Sequence, residues 1–147
     1  MRLGDIEAVS RIYEARADAA PPPTFSARLR RLFEEPERSV ALVAEHAGEV
    51  IGYVVAELRS WEFGSEPAGW VFGVSVAQEH EGEGVARTLL EAATRGLRSM
   101  GASTVRTMVR GDDVAVLRLF RGRGFVAGPY TQLELSLDES LEQEEEQ

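Results

Sequence analysis

Two glycines lie in a short polar loop between a β-rich segment and a helical segment near the middle of the chain. Trp70–Val76 is rich in β-branched and aromatic residues, whereas from Val85 the apolar residues recur every three or four positions, as on one helix face. The loop between these segments contains Gly82 and Gly84. Free backbone N–H groups at a helix N-terminus, together with the helix dipole, favour an anion, most often a phosphate. An ordinary tight turn is an equally good interpretation of the glycines alone.

Two amphipathic helices are predicted ahead of this segment. The first starts after Asp5 and ends near residues 17–20, where three consecutive prolines interrupt the helical pattern. The second has Thr24 as its N-cap and continues to about Glu35. Met1–Leu3 is long enough only for the stub of a strand.

The remaining segments predict a mixed sheet. Ser39–Glu45 and Val50–Leu58 flank a turn and predict a hairpin, Thr104–Val109 predicts a further strand, and Thr131–Leu137 predicts the last one. A helix capped by Asp112 or Asp113 lies between the last two. The order ααββ followed by βαβαβ is typical of an α/β or α+β mixed sheet with helices on both faces and a parallel central pair. Ligands of such sheets bind at the carboxyl ends of the strands.

Composition limits the classes of function. The chain has a net charge of −9 and no cysteine, and six of its acidic residues lie in its last ten positions, which leaves −3 on residues 1–137. We therefore expect a single domain over 1–137, an acidic, disordered tail over 138–147, and no nucleic-acid partner. No segment is long and apolar enough for a membrane helix, so a cytoplasmic protein without a membrane partner is expected. His46 and His80 lack ligand spacing, so no metal site is expected.

The glycine loop and a downstream motif together resemble the GNAT superfamily of acyl-CoA-dependent N-acetyltransferases. The loop sequence Gly82-Glu83-Gly84-Val85-Ala86 follows a strand and opens a helix, as in that family, and Thr88-Leu89-Leu90 matches the family's continuation. Downstream, the helix from Asp113 to Phe120 precedes the pair Gly124-Phe125, again as in the family. The start of the chain, Gly4–Val9, is similar to the family's first helix after a truncated first strand.

The resemblance implies a GNAT-like fold of about six to seven strands, in which the strand ending at Val76 separates from Thr104–Val109. It implies transfer of an acetyl group from acetyl-CoA to a primary amine of a small molecule or peptide, by direct attack of the uncharged amine on the thioester. The backbone N–H of Val76 is the implied oxyanion donor, backbone groups of Val74 and Val76 would bind the pantetheine arm, and the loop amides would bind the pyrophosphate. The residues implied for the acetyl-CoA site are Val74, Ser75, Val76, Glu81, Gly82, Glu83, Gly84, Val85, Ala86, Arg87, Asp113 and Phe120. A homodimer is compatible with the family, in which dimers are common.

The chain departs from the family pattern in the loop and in the last helix. Glu81 stands where the family has Arg or Gln, and Glu83 stands where a basic residue is frequent. Exposed charge pairs are worth about 0–1 kcal/mol each, so two carboxylates beside a pyrophosphate would weaken the site by roughly one or two kcal/mol. Arg87 would offset part of this, or both glutamates would point to solvent. Phe120 replaces a tyrosine that protonates the departing thiolate in many members, and Asp113 replaces an Asn and suits a helix N-cap.

No general base stands out. Glu57, Glu62 and Glu66 lie near the expected cleft and are weak candidates. Tyr53 and Tyr130 are compatible with substrate contact and with core packing. The acceptor is expected to meet Ala17–Phe33 and Arg59–Ala68, regions that vary within the family; the aromatic residues of the second region suit either a substrate pocket or a satellite hydrophobic cluster.

Two other functions remain open. One is a GNAT-fold module that binds CoA without turnover, which the acidic loop and Phe120 motivate. The other is a different α/β protein that uses the glycine loop for another phosphate ligand.

Overall fold

The computed structural model describes residues 1–60 and 62–137. Within these residues the strands are β1 (Ser39–His46), β2 (Glu49–Arg59), β3 (Ala68–Val76) and β4 (Thr104–Thr107). The α-helices are α1 (Ile6–Ala17), α2 (Thr24–Glu34), α3 (Val85–Ser99) and α4 (Val114–Gly122). Short 3₁₀ turns occupy Leu3–Asp5, Glu62–Gly64 and Gln78–His80.

The strands form one sheet in the order β1-β2-β3-β4. β1 pairs antiparallel with β2, β2 antiparallel with β3, and β3 parallel with β4, with α3 in the crossover between the parallel strands. The predicted mixed sheet with a parallel pair is therefore confirmed, but β4 is an edge strand of the described sheet, so the pair is not central.

Helices cover both faces of the sheet. Neighbouring residues of β2 point to opposite faces, so each face of this strand packs against a different pair of helices. Val54 and Ala56 pack with apolar residues of α3 and with Phe120 of α4. Tyr53 and Val55 pack instead with apolar residues of α1 and α2. The second of these layers forms one wall of the site described below.

The parallel pair β3 and β4 separates after a short ladder. Residues Ala68–Val71 of β3 pair with Thr104–Thr107 of β4, and β3 then continues to Val76 with no partner on that side among the described residues. The Thr107 hydroxyl donates a 2.8 Å hydrogen bond to the carbonyl oxygen of Val71 where the two strands part. The sheet is therefore open along the last five residues of β3.

The strand count is lower than the predicted six to seven, because two predicted strands do not form. Thr131–Leu137 is irregular, and Leu133, Leu135 and Leu137 are 82–89% exposed. Their alternating pattern favours a strand, but strand stability comes from cross-strand pairs, and within the described residues β4 pairs only with β3. The predicted stub Met1–Leu3 meets the sheet through one hydrogen bond, from the Met1 amino group to the carbonyl of Ala41, which is too little for a ladder.

Asp5 precedes α1 as predicted, but its carboxylate accepts from the backbone of Arg2 instead of capping the helix. The proposed acidic tail, 138–147, and Trp61 lie outside the described residues. Among the residues that are described, no helix has the length and apolar content to span a membrane.

Candidate functional site

The open edge of β3 presents backbone groups that the sheet does not use. Ala77 donates to the carbonyl of Ile51 at 2.7 Å, and the register then pairs Val76 with Gly52. In an antiparallel ladder, hydrogen-bonded and non-hydrogen-bonded pairs alternate. Val76 and Val74 therefore belong to non-hydrogen-bonded pairs with β2, and their N–H and C=O groups point toward the side where β4 is missing.

A bulge in β3 lies just before this edge. Val71 pairs with Ala56 and Gly73 with Val55, so Phe72 is the extra residue. A bulge bends the strand and re-aims the side chains beside it. A Cβ on Gly73 would lie 2.8 Å from the Val55 side chain, so only glycine fits this position.

The glycine loop leaves its amides free. Gly82 and Gly84 have φ angles of 79° and 81°, a left-handed conformation that favours glycine, and a Cβ on either would meet nothing within 4 Å. Within residues 1–60 and 62–137, the amides from Gly82 to Ala86 donate to no backbone or side-chain acceptor. The loop therefore offers consecutive N–H donors at the N-terminus of α3, as an anion site requires.

Both loop glutamates have cationic or histidine partners. Glu81 accepts a 3.3 Å hydrogen bond from Arg16 of α1, and Glu83 lies 3.0 Å from the Nδ1 atom of His80. Both carboxylates are about half exposed. Arg87 forms an ion pair with Glu91 at 3.5 Å, one turn further along α3. The acidic side chains are thus held by neighbours, while the loop amides remain free.

A cavity of about 630 Å³ lies between α1, α2 and the open part of the sheet. Its wall comes from both helices, from β2 and β3, and from the N-terminus of α4. The lining residues are Tyr13, Arg16, Ala17, Phe25, Arg28, Leu29, Tyr53, Val55, Phe72, Gly73, Val74, Ser75 and Asp113. Because Arg16 lines the cavity and also binds Glu81, the glycine loop lies at one end of it.

Ser75 and Tyr53 form a cross-strand pair in the wall of this cavity. The Ser75 side chain is buried, and its hydroxyl has no hydrogen-bond partner in the part of the chain that the structure describes. Burial, followed by the nearby Tyr13, raises the pKa of Tyr53 to about 12, although Arg16 acts in the opposite direction. Tyr53 is therefore a neutral phenol at physiological pH and is unsuited to be a general base.

Asp113 and Phe120 belong to α4 but occupy different environments. The Asp113 carboxylate caps the helix by accepting from the backbone of Val116 at 3.2 Å, and the residue also lines the cavity. Phe120 is 4% exposed and packs edge-on against Phe125, with ring centroids 5.0 Å apart. Phe120 is therefore part of the core and is not among the residues that line the cavity.

The three glutamates considered as bases lie outside the cavity lining. Arg59 binds both Glu57, at 3.0 Å, and Glu62, at 3.7 Å. Glu66 is an exposed residue before β3. Tyr130, considered above for substrate contact, also lies outside the cavity lining. Its ring lies near that of Phe63, with centroids 6.0 Å apart, and Phe63 does not line the cavity either.

Sequence reasoning named the region Ala17–Phe33 for the acceptor but did not select the residues that form the wall. Arg28 of α2 places its guanidinium carbon 4.2 Å from the ring centroid of Phe72, and Tyr13 packs against Phe25 at 4.6 Å. The helical spacing of Tyr13 and Arg16, three positions apart, was the available signal for a shared face of α1.

The fold and the site define an α/β protein with a loop of free backbone amides at the open end of its sheet. The chain belongs to the acetyltransferase (GNAT) family, whose model matches residues 8–125.

Similar proteins carry acetyltransferase names. An acetyltransferase of Sodalis glossinidius is 31% identical over 122 residues, which cover 81% of this chain and 79% of that protein. A mycothiol acetyltransferase of Amycolatopsis mediterranei is 37% identical over 86 residues, which cover 56% of this chain but only 29% of that protein. The matched part of this chain thus spans about a third or less of the length of the mycothiol acetyltransferases it resembles.

Solved structures show the same fold. An aminoglycoside N-acetyltransferase solved in complex with CoA superposes with a TM-score of 0.79 at 17% identity, covering 94% of this chain and 92% of that chain. Likeness at this level of identity shows the fold alone. The match to the family model confirms the resemblance drawn from the sequence, and the roles of individual residues stay predictions.

Proposed function

We propose that this chain is an N-acetyltransferase that uses acetyl-CoA to acetylate a primary amine of a small molecule or peptide. The observation that carries the proposal is the row of free amides from Gly82 to Ala86, beside the unused backbone edge of β3. Acetyl-CoA combines a diphosphate with an extended amide-containing arm, so these two features fit its two halves. When bound, acetyl-CoA would supply an acetyl group activated as a thioester.

Each part of the site has a proposed role. The loop amides bind the diphosphate, and the positive φ angles of Gly82 and Gly84 keep those amides turned outward. The N–H and C=O groups of Val74 and Val76 bind the amides of the arm as an added strand would. The Val76 N–H is the proposed donor to the acetyl carbonyl oxygen, since it points to the open side of β3.

The acidic loop is compatible with this role. Arg16 forms an ion pair with Glu81 that offsets its charge, and the His80 ring lies within hydrogen-bond distance of Glu83. The amides themselves carry the partial positive charge of the N-terminus of α3, which extends for fifteen residues. The charged side chains therefore modulate the affinity for a diphosphate without blocking the amides.

Thermal unfolding with and without acetyl-CoA tests the donor half of the proposal. Millimolar acetyl-CoA is expected to raise Tm, because a ligand bound only by the folded state stabilises it by mass action. Thiol release, followed with a thiol reagent in the presence of an amine panel, tests the transfer itself. No shift of Tm at millimolar acetyl-CoA would remove the proposal.

A second candidate is a CoA-binding module without turnover. It is favoured by the burial of Phe120, which has no hydroxyl, and by the engagement of Asp113 as a helix cap. This candidate predicts binding of CoA with no thiol release for any amine. Measurable acetylation of one amine would exclude it.

A further inference from the structure

The charges that line the cavity point to one kind of acceptor. Arg16 and Arg28 line it, with Asp113 as the one carboxylate among the described lining residues. The acidic partners of the two arginines, Glu81 and Glu57, are absent from that lining. A polycationic acceptor would meet two guanidinium groups here, and like charges at such an interface are unfavourable.

Arg28 is arranged to receive an anion. Its guanidinium lies over the ring of Phe72 at 4.2 Å, and its side chain is about half exposed. Its ion pair with Glu57, at 3.6 Å, is longer than a hydrogen bond, so a ligand carboxylate can compete with Glu57 for the guanidinium. The contact with the Phe72 ring holds the guanidinium at the wall of the cavity, and a guanidinium can bind a carboxylate with two parallel N–H donors.

The rest of the wall is mainly aromatic and aliphatic, and it contains one buried polar group that lacks a partner in the described chain. Tyr13, Phe25, Tyr53 and Phe72 supply flat apolar surface around the arginines. The buried Ser75 hydroxyl has no partner in the described chain, and a buried hydroxyl is ordinarily hydrogen-bonded. These groups suit an acceptor that combines an apolar side group with hydrogen-bonding atoms.

We propose that the acceptor is a primary amine that also carries a carboxylate and a bulky apolar group, such as a hydrophobic amino acid, and that Arg28 binds the carboxylate. The inference rests on the proposed acetyl transfer and specifies its substrate class. Arg16 adds positive charge at the same wall while it holds Glu81 of the glycine loop.

Three probes test the class of acceptor on the full chain: L-phenylalanine, L-phenylalaninamide and neamine, which is polycationic. Thiol release with acetyl-CoA is expected to give L-phenylalanine a kcat/KM about tenfold to a hundredfold above that of the amide, the range of a charge-assisted hydrogen bond. A neighbouring carboxylate favours the protonated amine, so greater reactivity of the amine cannot produce this preference. Neamine is expected to react least.

Variants of Arg28 locate the preference. Arg28→Gln is expected to lower kcat/KM for L-phenylalanine to near the value for the amide, while the Tm shift with acetyl-CoA stays unchanged. Arg28→Lys is expected to retain part of the preference, since lysine keeps the charge but loses the planar fork. Arg30→Gln is the matched control, because Arg30 is an exposed residue of α2 outside the cavity lining.

The proposed function and the acceptor class fail in distinguishable ways. Absence of any Tm shift with acetyl-CoA overturns the proposed function, whereas NMR titration of the three probes without acetyl-CoA still reports which one binds. Equal binding or turnover of the acid and the amide, preference for neamine, or no binding of L-phenylalanine at millimolar concentration would overturn the acceptor class. An Arg28→Gln variant that retains the full preference would overturn the role of Arg28.

Discussion

The candidate site has two ends, the glycine loop and the cavity, and they are built from different parts of the chain. At the glycine loop, the groups offered to a ligand are backbone amides from five consecutive residues, 82–86, at the start of α3. At the cavity, they are side chains from α1, α2, β2 and β3, which are distant in sequence. Arg16 connects the two ends, because it lines the cavity and also binds Glu81 of the loop.

This difference indicates how each end tolerates change. Main-chain amides at a helix start depend on backbone conformation, so the loop retains its donors although its side chains are acidic. The cavity depends on which side chains reach it, so single substitutions there alter specificity without altering the fold. We expect the loop to be sensitive to strain and the cavity to be sensitive to charge and hydrogen bonding.

The largest effect is expected from strain in the loop. Gly84→Val places a β-branched residue at a φ of 81°, which costs about 1–3 kcal/mol and turns the amides away, so acetyl-CoA affinity should fall on the order of a hundredfold. Gly101→Val is the matched control at the other end of α3, where φ is 102° and the surroundings are also open. Calorimetric titration should show loss of binding only for Gly84→Val. Equal loss in both variants would contradict a backbone site at the loop.

Phe120→Tyr tests whether the ligand site extends from the cavity into the core near α4. The added hydroxyl would be buried against Phe125, and a buried hydroxyl without a partner costs about 1–3 kcal/mol of the free energy of unfolding. Denaturant unfolding should show this loss, and turnover should not rise. A faster reaction at unchanged stability would show instead that the tyrosine hydroxyl reaches the reacting atoms.

Ser75→Ala should affect stability and binding differently. The hydroxyl has no partner in the described chain, so its removal should leave the free energy of unfolding unchanged or raise it by up to about 1 kcal/mol. If the hydroxyl binds the acceptor, the affinity for L-phenylalanine should fall about tenfold. Ser99→Ala, at an exposed position of α3, controls for the substitution. A clear loss of stability with unchanged affinity would make Ser75 a structural residue.

Tyr53→Phe should change the pH dependence of stability. The folded-state pKa of about 12 lies above the ordinary value of 10.0, so the folded protein holds the phenolic proton more tightly. The contribution of Tyr53 to the free energy of unfolding is present below pH 10 and decreases as the pH rises toward 12. The decrease amounts to about 1 kcal/mol by roughly pH 11. Denaturant unfolding of both proteins at alkaline pH measures the difference. Parallel pH profiles would show that Tyr53 is not desolvated.

The smallest effect is expected for the ion pair that connects the two ends. Exposed pairs contribute about 0–1 kcal/mol, so Glu81→Gln should tighten acetyl-CoA binding by no more than about fivefold, and Arg16→Gln should weaken it to a similar degree. Both effects should decrease at high ionic strength. Calorimetry on the two single variants and the double variant gives the coupling energy. A loss of binding in Glu81→Gln would show that the carboxylate itself contacts the ligand.

Much of the fold could be predicted from local pattern. The hairpin turn, the start of α3 at Val85 and the capping role of Asp113 all follow from neighbouring residues, and the structure confirms them. The prediction of a last strand at Thr131–Leu137 was wrong, because the alternation of Leu133, Leu135 and Leu137 supplies a strand propensity but no pairing partner. A propensity becomes a strand only when a second strand is in register with it.

The sequence by itself determined the central strand–loop–helix unit, because its glycines, apolar period and helix start act over a few neighbouring residues. It also determined the membership of the family, which depends on the order of those residues. Only the tertiary structure decided that Arg16 binds Glu81 and that Arg28 stacks on Phe72 at the wall of the cavity. These contacts join residues more than forty positions apart, and such separations leave no trace in local periodicity.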